Sequence, residues 1–277
     1  MLIWVSLICI VGHMAKNQIP LLEFKNVTVV RGRKKILDSI SLTIRAGENI
    51  AILGPNGAGK SSFIKTITRE YYPLPQKKDY SFKIWGKDRW DVFDLRFMLG
   101  IVSSDLQNAF AQEMTGMEVV LSGFFSSIRL YDRRITRDMK TKAEKILKFL
   151  EISHLKDRFM TTMSSGEARR FLIARALIHN PKTLILDEPT IALDLHAQYK
   201  FRKILRKISK SGTGIVLITQ NLHDIIPQIS RVILMRKGRF YKDGPKSEIL
   251  TSRNISGLFK VPVRIKKENG CYYATGY

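Results

Sequence analysis

The stretch Gly54-Pro55-Asn56-Gly57-Ala58-Gly59-Lys60-Ser61 fits the pattern G-x-x-x-x-G-K-[ST]. An apolar segment, residues 49–53, precedes it, and residues 62–67 can continue as a helix. Between a strand and a helix, glycines let consecutive backbone N–H groups turn toward phosphate oxygens, because no Cβ obstructs them. The positive end of the new helix faces the same charge. The stretch therefore predicts a loop that binds a nucleoside triphosphate, with an accidental glycine-rich turn as the alternative.

Two side chains of this loop carry the expected chemistry. Lys60 would reach the β- and γ-phosphates, and the Ser61 hydroxyl would ligate Mg²⁺. The residues expected to surround the nucleotide are consecutive: Gly54, Pro55, Asn56, Gly57, Ala58, Gly59, Lys60, Ser61 and Ser62.

A second stretch supplies carboxylates. Thr183-Leu184-Ile185-Leu186-Asp187-Glu188-Pro189-Thr190 begins as an apolar run, typical of a strand buried on both faces, and ends in acid. Ligands of open α/β sheets bind at the carboxyl edge of the strands. Asp187 would therefore hold the Mg²⁺ shell, and Glu188 would direct the attacking water. The alternative is a solvated turn after a strand.

A third stretch, Met163-Ser164-Ser165-Gly166-Glu167, precedes an amphipathic helical pattern. With it the sequence resembles the ATP-binding cassette (ABC) ATPases, whose signature loop reads Leu-Ser-Gly-Gly-Gln. Met163, Ser165 and Glu167 depart from that consensus, but Ser164 and Gly166 at a helix N-terminus still form an end that binds anions. The resemblance runs from about residue 22 to residue 250, and Ile191-Ala192-Leu193-Asp194 resembles the D-loop of the family.

The resemblance implies how the three stretches work together. The signature loop, Ser164 to Glu167, would cap the γ-phosphate of ATP held by a second subunit, so the working unit would be a head-to-tail dimer, here a homodimer. ATP and Mg²⁺ are the implied bound groups. The implied partner is an integral-membrane permease, and the implied location is the cytoplasmic face of the cell membrane.

The implied fold is α/β: a P-loop NTPase core with a mostly parallel sheet, an antiparallel β subdomain and an inserted α-helical lobe at about 105–165. We expect an N-terminal extension at 1–20, the ABC ATPase domain at 21–250, and a tail at 251–277. An Asn269-Gly270 pair predicts a hairpin in that tail. The apolar segment 1–12 is too short to span a bilayer; a membrane-touching stub, a packed strand and an over-extended start remain open.

Composition bounds the other possibilities. The 277 residues are 44% hydrophobic and 26% charged, which is ordinary for a globular protein. Cys9 and Cys271 are the only cysteines, so a disulfide framework or a zinc ribbon is excluded. The net charge of +23 would favour contact with anionic lipid or nucleic acid, unless it only forms a solvated basic surface.

Three positions outside the signature loop also depart from the family pattern. Arg31 stands where an aromatic residue stacks on adenine, and a guanidinium plane can also stack on a ring. Gln107 lies three residues beyond the glutamine expected near Mg²⁺, so it either senses the ion or lies on the surface. Gln220 replaces a histidine that contacts the γ-phosphate; glutamine carries no positive charge, which predicts slow ATP hydrolysis.

The leading hypothesis is therefore the energy-coupling ATPase of an ABC transporter. Residues 117–123 loosely resemble those of importers of metal ions, metal complexes or oxyanions. A non-transport ATPase acting on nucleic acid or ribosomes is the alternative that the basic charge favours. A slowly hydrolysing nucleotide-dependent regulator is the alternative that Gln220 favours.

Overall fold

The computed structural model describes residues 19–75, 79–91, 95, 97–103, 106, 109–110, 113–130 and 133–276. The strands in these ranges are β1 Leu22–Arg31, β2 Lys34–Ile44, β3 Ile50–Leu53, β4 Ser81–Ile84, β5 Leu99–Val102, β6 Thr183–Asp187, β7 Gly214–Thr219, β8 Arg231–Arg236, β9 Arg239–Pro245, β10 Arg264–Glu268 and β11 Cys271–Thr275. The α-helices are α1 Lys60–Ile67, α2 Gly116–Ser122, α3 Arg137–Phe149, α4 Ser165–Leu177, α5 Leu195–Lys210, α6 Lys246–Ile249 and α7 Ser252–Phe259.

A six-stranded sheet in the order β5-β6-β7-β3-β8-β9 forms the centre of the protein. All neighbouring pairs in it are parallel except β8 with β9. Its inner strands are apolar runs because side chains alternate between two buried faces. On β7, for example, Ile215 and Leu217 pack with the helices, whereas Val216 and Ile218 pack with the antiparallel subdomain. The order brings the carboxyl ends of β3, β6 and β7 to one edge.

The antiparallel subdomain is a three-stranded sheet in the order β2-β1-β4. The alternation of β1 slips at Asn26, which has a positive φ, and its register with β2 shifts between Phe24 and Val27. This is the behaviour of a β-bulge. Phe24 packs against Phe63 of α1, so this sheet covers the helix that follows the glycine loop.

The helical part covers the other face of the sheet. One stripe of α3 turns inward, with Ala143 and Leu147 fully buried and Met139 and Ile146 packed against the same core. Phe171 of α4 is also fully buried in that core. The α/β fold with a mostly parallel sheet, an antiparallel subdomain and a helical lobe is therefore confirmed.

The tail continues beyond the sheet as α7 and the hairpin of β10 and β11. Asn269 and Gly270 both have positive φ at its turn, as a type I′ turn requires. None of the helices within the described ranges has the length and apolar content needed to cross a lipid bilayer. The segment 1–12, Cys9 and Gln107 lie outside the described residues.

Candidate nucleotide-binding site

The glycine loop joins β3 to α1 and is shaped by backbone that lies close behind it. Gly59 has φ +106°, and a Cβ there would lie 2.9 Å from Met235 Cε and 3.0 Å from Ile36 O. The Gly238 N–H donates to Ala58 O at 2.8 Å, so the β8–β9 turn supports the loop from behind. No described side chain caps α1. Its first N–H groups, which have no partners inside a helix, are left for an anion.

Lys60 is folded back along this loop. Its Nζ donates to Gly54 O at 2.7 Å and to Pro55 O at 3.0 Å. It also lies 3.0 Å from Glu188 Oε1, outside the geometry of an aligned hydrogen bond, and the two side chains are only 5% and 11% exposed. The ammonium group is thus held among three oxygen atoms at the place where phosphate oxygens are expected.

The carboxylates stand at the end of β6. Glu188 has φ +46°, a conformation that non-glycine residues seldom adopt and that is often found at functional sites. Its backbone N–H donates to Ile218 O at 2.8 Å, and its Oε2 accepts from the Gln220 N–H at 3.2 Å. Glu188 is therefore fixed by β7, the strand next to its own.

A cavity of about 890 Å³ lies between the glycine loop and the end of β6. The start of β2, α1, the segment after β5 and the β8–β9 turn complete its walls, and both Asp187 and Glu188 line it. Five lysines contribute to the lining: Lys34, Lys35, Lys60, Lys65 and Lys237. A concave site lined by this many cations attracts a polyanion.

The same cavity has oxygen donors that suit a magnesium ion. The Ser61 hydroxyl and the Asp187 carboxylate both line it. Mg²⁺ prefers oxygen ligands and usually binds through one or two carboxylates together with substrate phosphates, not in an all-protein cage. No cluster of three or more His, Cys, Asp or Glu side chains suited to a metal occurs among the described residues. The donor set therefore fits magnesium bound together with a triphosphate.

The predicted signature residues lie at a separate place, the N-terminus of α4. Ser164 is its N-cap: Ser164 Oγ accepts from the Glu167 N–H at 3.3 Å, and the Ser164 N–H donates to Glu167 Oε2 at 2.9 Å. Burial acts to raise the pKa of Glu167, but these hydrogen bonds and the Arg158 and Arg170 guanidinium groups outweigh it and lower the pKa. Glu167 thus completes a capping box.

Ser164, Gly166 and Glu167 line a second cavity of about 130 Å³. Among the described residues, the linings of the two cavities have no member in common. Ser165 Oγ donates to Ala192 O at 3.2 Å, which joins the signature segment to the turn after β6. The glycine loop and the signature segment therefore line separate cavities within the described part of the chain.

The three atypical positions are placed differently. Arg31 is exposed and outside the cavity lining; its Nη1 donates to Tyr71 Oη at 2.7 Å, and its guanidinium lies 5.5 Å from the centre of the Tyr71 ring. Gln220 directly follows β7 and is half-buried, and its backbone N–H donates to the Glu188 carboxylate. His223, the next histidine after Gln220 in the sequence, is exposed and meets the Tyr273 ring edge-on, with centroids 5.0 Å apart. Gln107 lies outside the described residues.

Sequence reasoning missed a buried carboxylate beneath this site. Asp224 is 1% exposed and accepts hydrogen bonds from the hydroxyls of Thr190 and Thr219. Burial raises the pKa of Asp224, although the two hydroxyls act in the opposite direction. No local pattern marks this aspartate, because Thr219 ends β7 and Thr190 lies in the turn after β6. Its neighbours Leu222 and Ile225, both buried, were the available sign that the segment turns inward.

Comparisons with known proteins agree with this arrangement. A family model described as ABC transporter matches residues 37–191. The chain is 33% identical to the hemin import ATP-binding protein HmuV of Aliivibrio fischeri over 239 residues, which are 84% of this chain and 88% of that protein. It is 31% identical over 247 residues to the ABC transporter ATP-binding protein YlmA of Bacillus subtilis, covering 88% and 93% of the two chains.

Solved structures show the same architecture. The ADP conformation of MJ1267, an ATP-binding cassette of an ABC transporter, matches with a TM-score of 0.74 and 25% identity over 87% of this chain and 98% of that one. An inward-facing conformation of another ABC transporter matches with a TM-score of 0.72; at 23% identity over 92% and 96% of the chains it supports the fold alone. Because the family model covers more than half of the chain, and relatives above 30% identity extend over most of it, the protein belongs to the ABC transporter family as an ATP-binding, ATP-hydrolysing subunit.

Proposed function

We propose that the larger cavity binds magnesium-ATP and that its hydrolysis powers a separate membrane permease. One observation carries this proposal: the glycine loop and the carboxylates of Asp187 and Glu188, which are far apart in the sequence, line the same cavity. A phosphate cradle beside a carboxylate is the arrangement that phosphoryl transfer to water requires.

Each residue then has a distinct role. The backbone of Gly54 to Ser62 and the Lys60 ammonium would stabilise charge that develops on the γ-phosphoryl group. Ser61 and Asp187 would hold the magnesium ion, which when bound neutralises phosphate charge. Glu188, held by the Gln220 N–H, would orient the attacking water and accept its proton.

The signature segment supports a proposal for assembly. Subunits of this family dimerise and work with a membrane permease. Ser164, Gly166 and Glu167 line a cavity other than the nucleotide cavity. We therefore propose that the segment from Ser164 to Glu167 contacts the γ-phosphate bound to a second copy in a head-to-tail homodimer. Assembly would then depend on ATP, because each bound triphosphate would contact both copies and so favour the dimer by mass action.

Each of the three atypical positions has a proposed role. Gln220 offers no positive charge toward the γ-phosphate, so we propose slow turnover. The Arg31 guanidinium, held by Tyr71, is proposed as the plane against which adenine stacks. Gln107 stays a proposal for sensing Mg²⁺.

For cargo we propose a metal complex, with this subunit on the cytoplasmic face of the membrane. The hemin import relatives support that cargo class. The net charge of +23 favours one second candidate, an ATPase that acts on nucleic acid. Measuring the binding of RNA and of anionic vesicles at increasing salt concentrations distinguishes the transporter from the nucleic-acid ATPase. The transporter hypothesis does not require tight RNA binding at physiological salt.

The decisive experiment compares Lys60→Ala with the control Lys140→Ala, an exposed lysine of α3 that does not line the cavity. We expect Lys60→Ala to lose ATP hydrolysis and to weaken binding of a fluorescent ATP analogue, while the control retains both. Normal hydrolysis by Lys60→Ala would place the ATPase site elsewhere.

A further inference from the structure

The carboxylate of Asp224 is buried beneath the catalytic edge of the sheet. It lies in the short turn Leu222–Asp224 that follows β7. Both of its oxygens lie 2.8 Å from Thr190 Oγ1, and Oδ2 also accepts from Thr219 Oγ1 at 2.7 Å. Burying a carboxylate costs free energy, and hydrogen bonds offset only part of that cost. A neutral acceptor would be enough to link two hydroxyl groups, so the carboxylate calls for a role beyond structural support.

The two threonines lie close in sequence to Glu188, which orients the attacking water in the proposed mechanism, and to Gln220, which holds Glu188. Thr190 lies two residues after Glu188. Thr219 precedes Gln220, whose N–H donates to Glu188 Oε2 at 3.2 Å. The Asp224 carboxylate therefore joins the segment that carries Glu188 to the segment that orients it.

The turn that follows Glu188 is also held by α4, the helix that begins at the signature segment. Arg169 of α4 is 6% exposed and donates from Nη1 to Pro189 O and, at 3.2 Å, to Ile191 O. Thr190 lies between these two carbonyl groups and bonds Asp224. Burial lowers the pKa of the Arg169 guanidinium, and the nearby Asp224 carboxylate acts in the opposite direction. The backbone after Glu188 is thus clamped between Arg169 and Asp224.

We propose that Asp224 is a positioning residue for ATP hydrolysis, acting through Thr190 and Thr219 on the placement of the Glu188 carboxylate. This inference rests on the proposed function of the cavity. A misplacement of about 1 Å at a catalytic group can cost on the order of 100-fold in rate. Binding of ATP depends on the glycine loop, whereas the side-chain hydrogen bonds of Asp224 go to Thr190 and Thr219. We therefore expect a change in the rate of hydrolysis and not in the affinity for ATP.

The test uses two variants. Asp224→Asn introduces an amide nitrogen that cannot accept a hydrogen bond from a hydroxyl group, and Thr190→Val removes a hydroxyl group that donates to Asp224. Each is assayed in the full chain for kcat, for the Kd of a fluorescent ATP analogue and for thermal unfolding. Ser122→Ala is the matched control, because it also breaks buried hydrogen bonds but lies in α2. We expect kcat to fall by about 10- to 100-fold in both test variants, with Kd within about twofold of wild type.

A second measurement tests whether Asp224 acts through Glu188. In a Glu188→Gln background, Asp224→Asn should leave the residual single-turnover rate unchanged, because the group it positions is absent. An unaltered kcat in both test variants, or an equal further loss in the Glu188→Gln background, would overturn the proposal. Failure of the cavity itself is separate: there Lys60→Ala would retain hydrolysis.

Discussion

The contact between Lys60 and Glu188 makes a quantitative prediction about the nucleotide-free protein. The perturbations are Lys60→Met, which keeps much of the aliphatic stem, and Glu188→Gln, which keeps the shape of the carboxylate. The two charges are 3.0 Å apart and nearly buried. At that separation the attraction is about 5.5 kcal/mol for an effective dielectric constant of about 20, before desolvation is subtracted.

Desolvation and the remaining contacts reduce this figure. After Glu188→Gln, the Lys60 ammonium still donates to Gly54 O and Pro55 O, so we expect that variant to lose little stability. After Lys60→Met, Glu188 keeps the Gln220 N–H but loses its cation, and breaking a buried pair in this way costs about 3 kcal/mol or more. The coupling energy from the double-mutant cycle should therefore be about 1–3 kcal/mol.

The assay is urea unfolding of the wild type, both single variants and the double variant, without nucleotide and with a chelator. A cycle on Glu144 and Lys156 is the control, since these groups are 3.6 Å apart and largely exposed; its coupling should be below about 0.5 kcal/mol. A coupling for Lys60 and Glu188 no larger than the control would refute the inference that this ion pair stabilises the nucleotide-free protein.

Three further outcomes are expected. Glu188→Gln should lower turnover by at least about 100-fold while retaining ATP binding. An ATP-dependent dimer of this variant should accumulate in size-exclusion chromatography. Unchanged turnover would show that Glu188 has no catalytic role. Gln220→His should raise turnover, and an unaltered rate would show that this position does not face the γ-phosphate. Glu167 has a lowered pKa, so its contribution to stability is present above about pH 4.3 and is lost as the pH falls through its folded value. Glu167→Gln should therefore flatten the acid limb of the unfolding curve, and a limb as steep as in the wild type would contradict the capping role.

Local features of the sequence were enough to predict most of the elements. The bulge at Asn26 follows from one slip in an alternating pattern, and the turn at Gly270 follows from a pair that tolerates positive φ. Helix α7 was missed, although Thr251 caps it through the Asn254 N–H, because it lies in a short polar segment without a long apolar period.

The sequence by itself determined the phosphate loop, the acidic strand, the signature segment and the α/β class, because each depends on residues adjacent in the chain. Only the tertiary structure decided that Lys60 meets Glu188, that the Gln220 N–H holds that carboxylate, and that Asp224 lies beneath it. Those contacts arise because β3, β7 and β6 are neighbours in the sheet, an order that differs from their order in the chain. Hydrogen bonds between strands depend on that spatial order, and no pattern within a single segment encodes it.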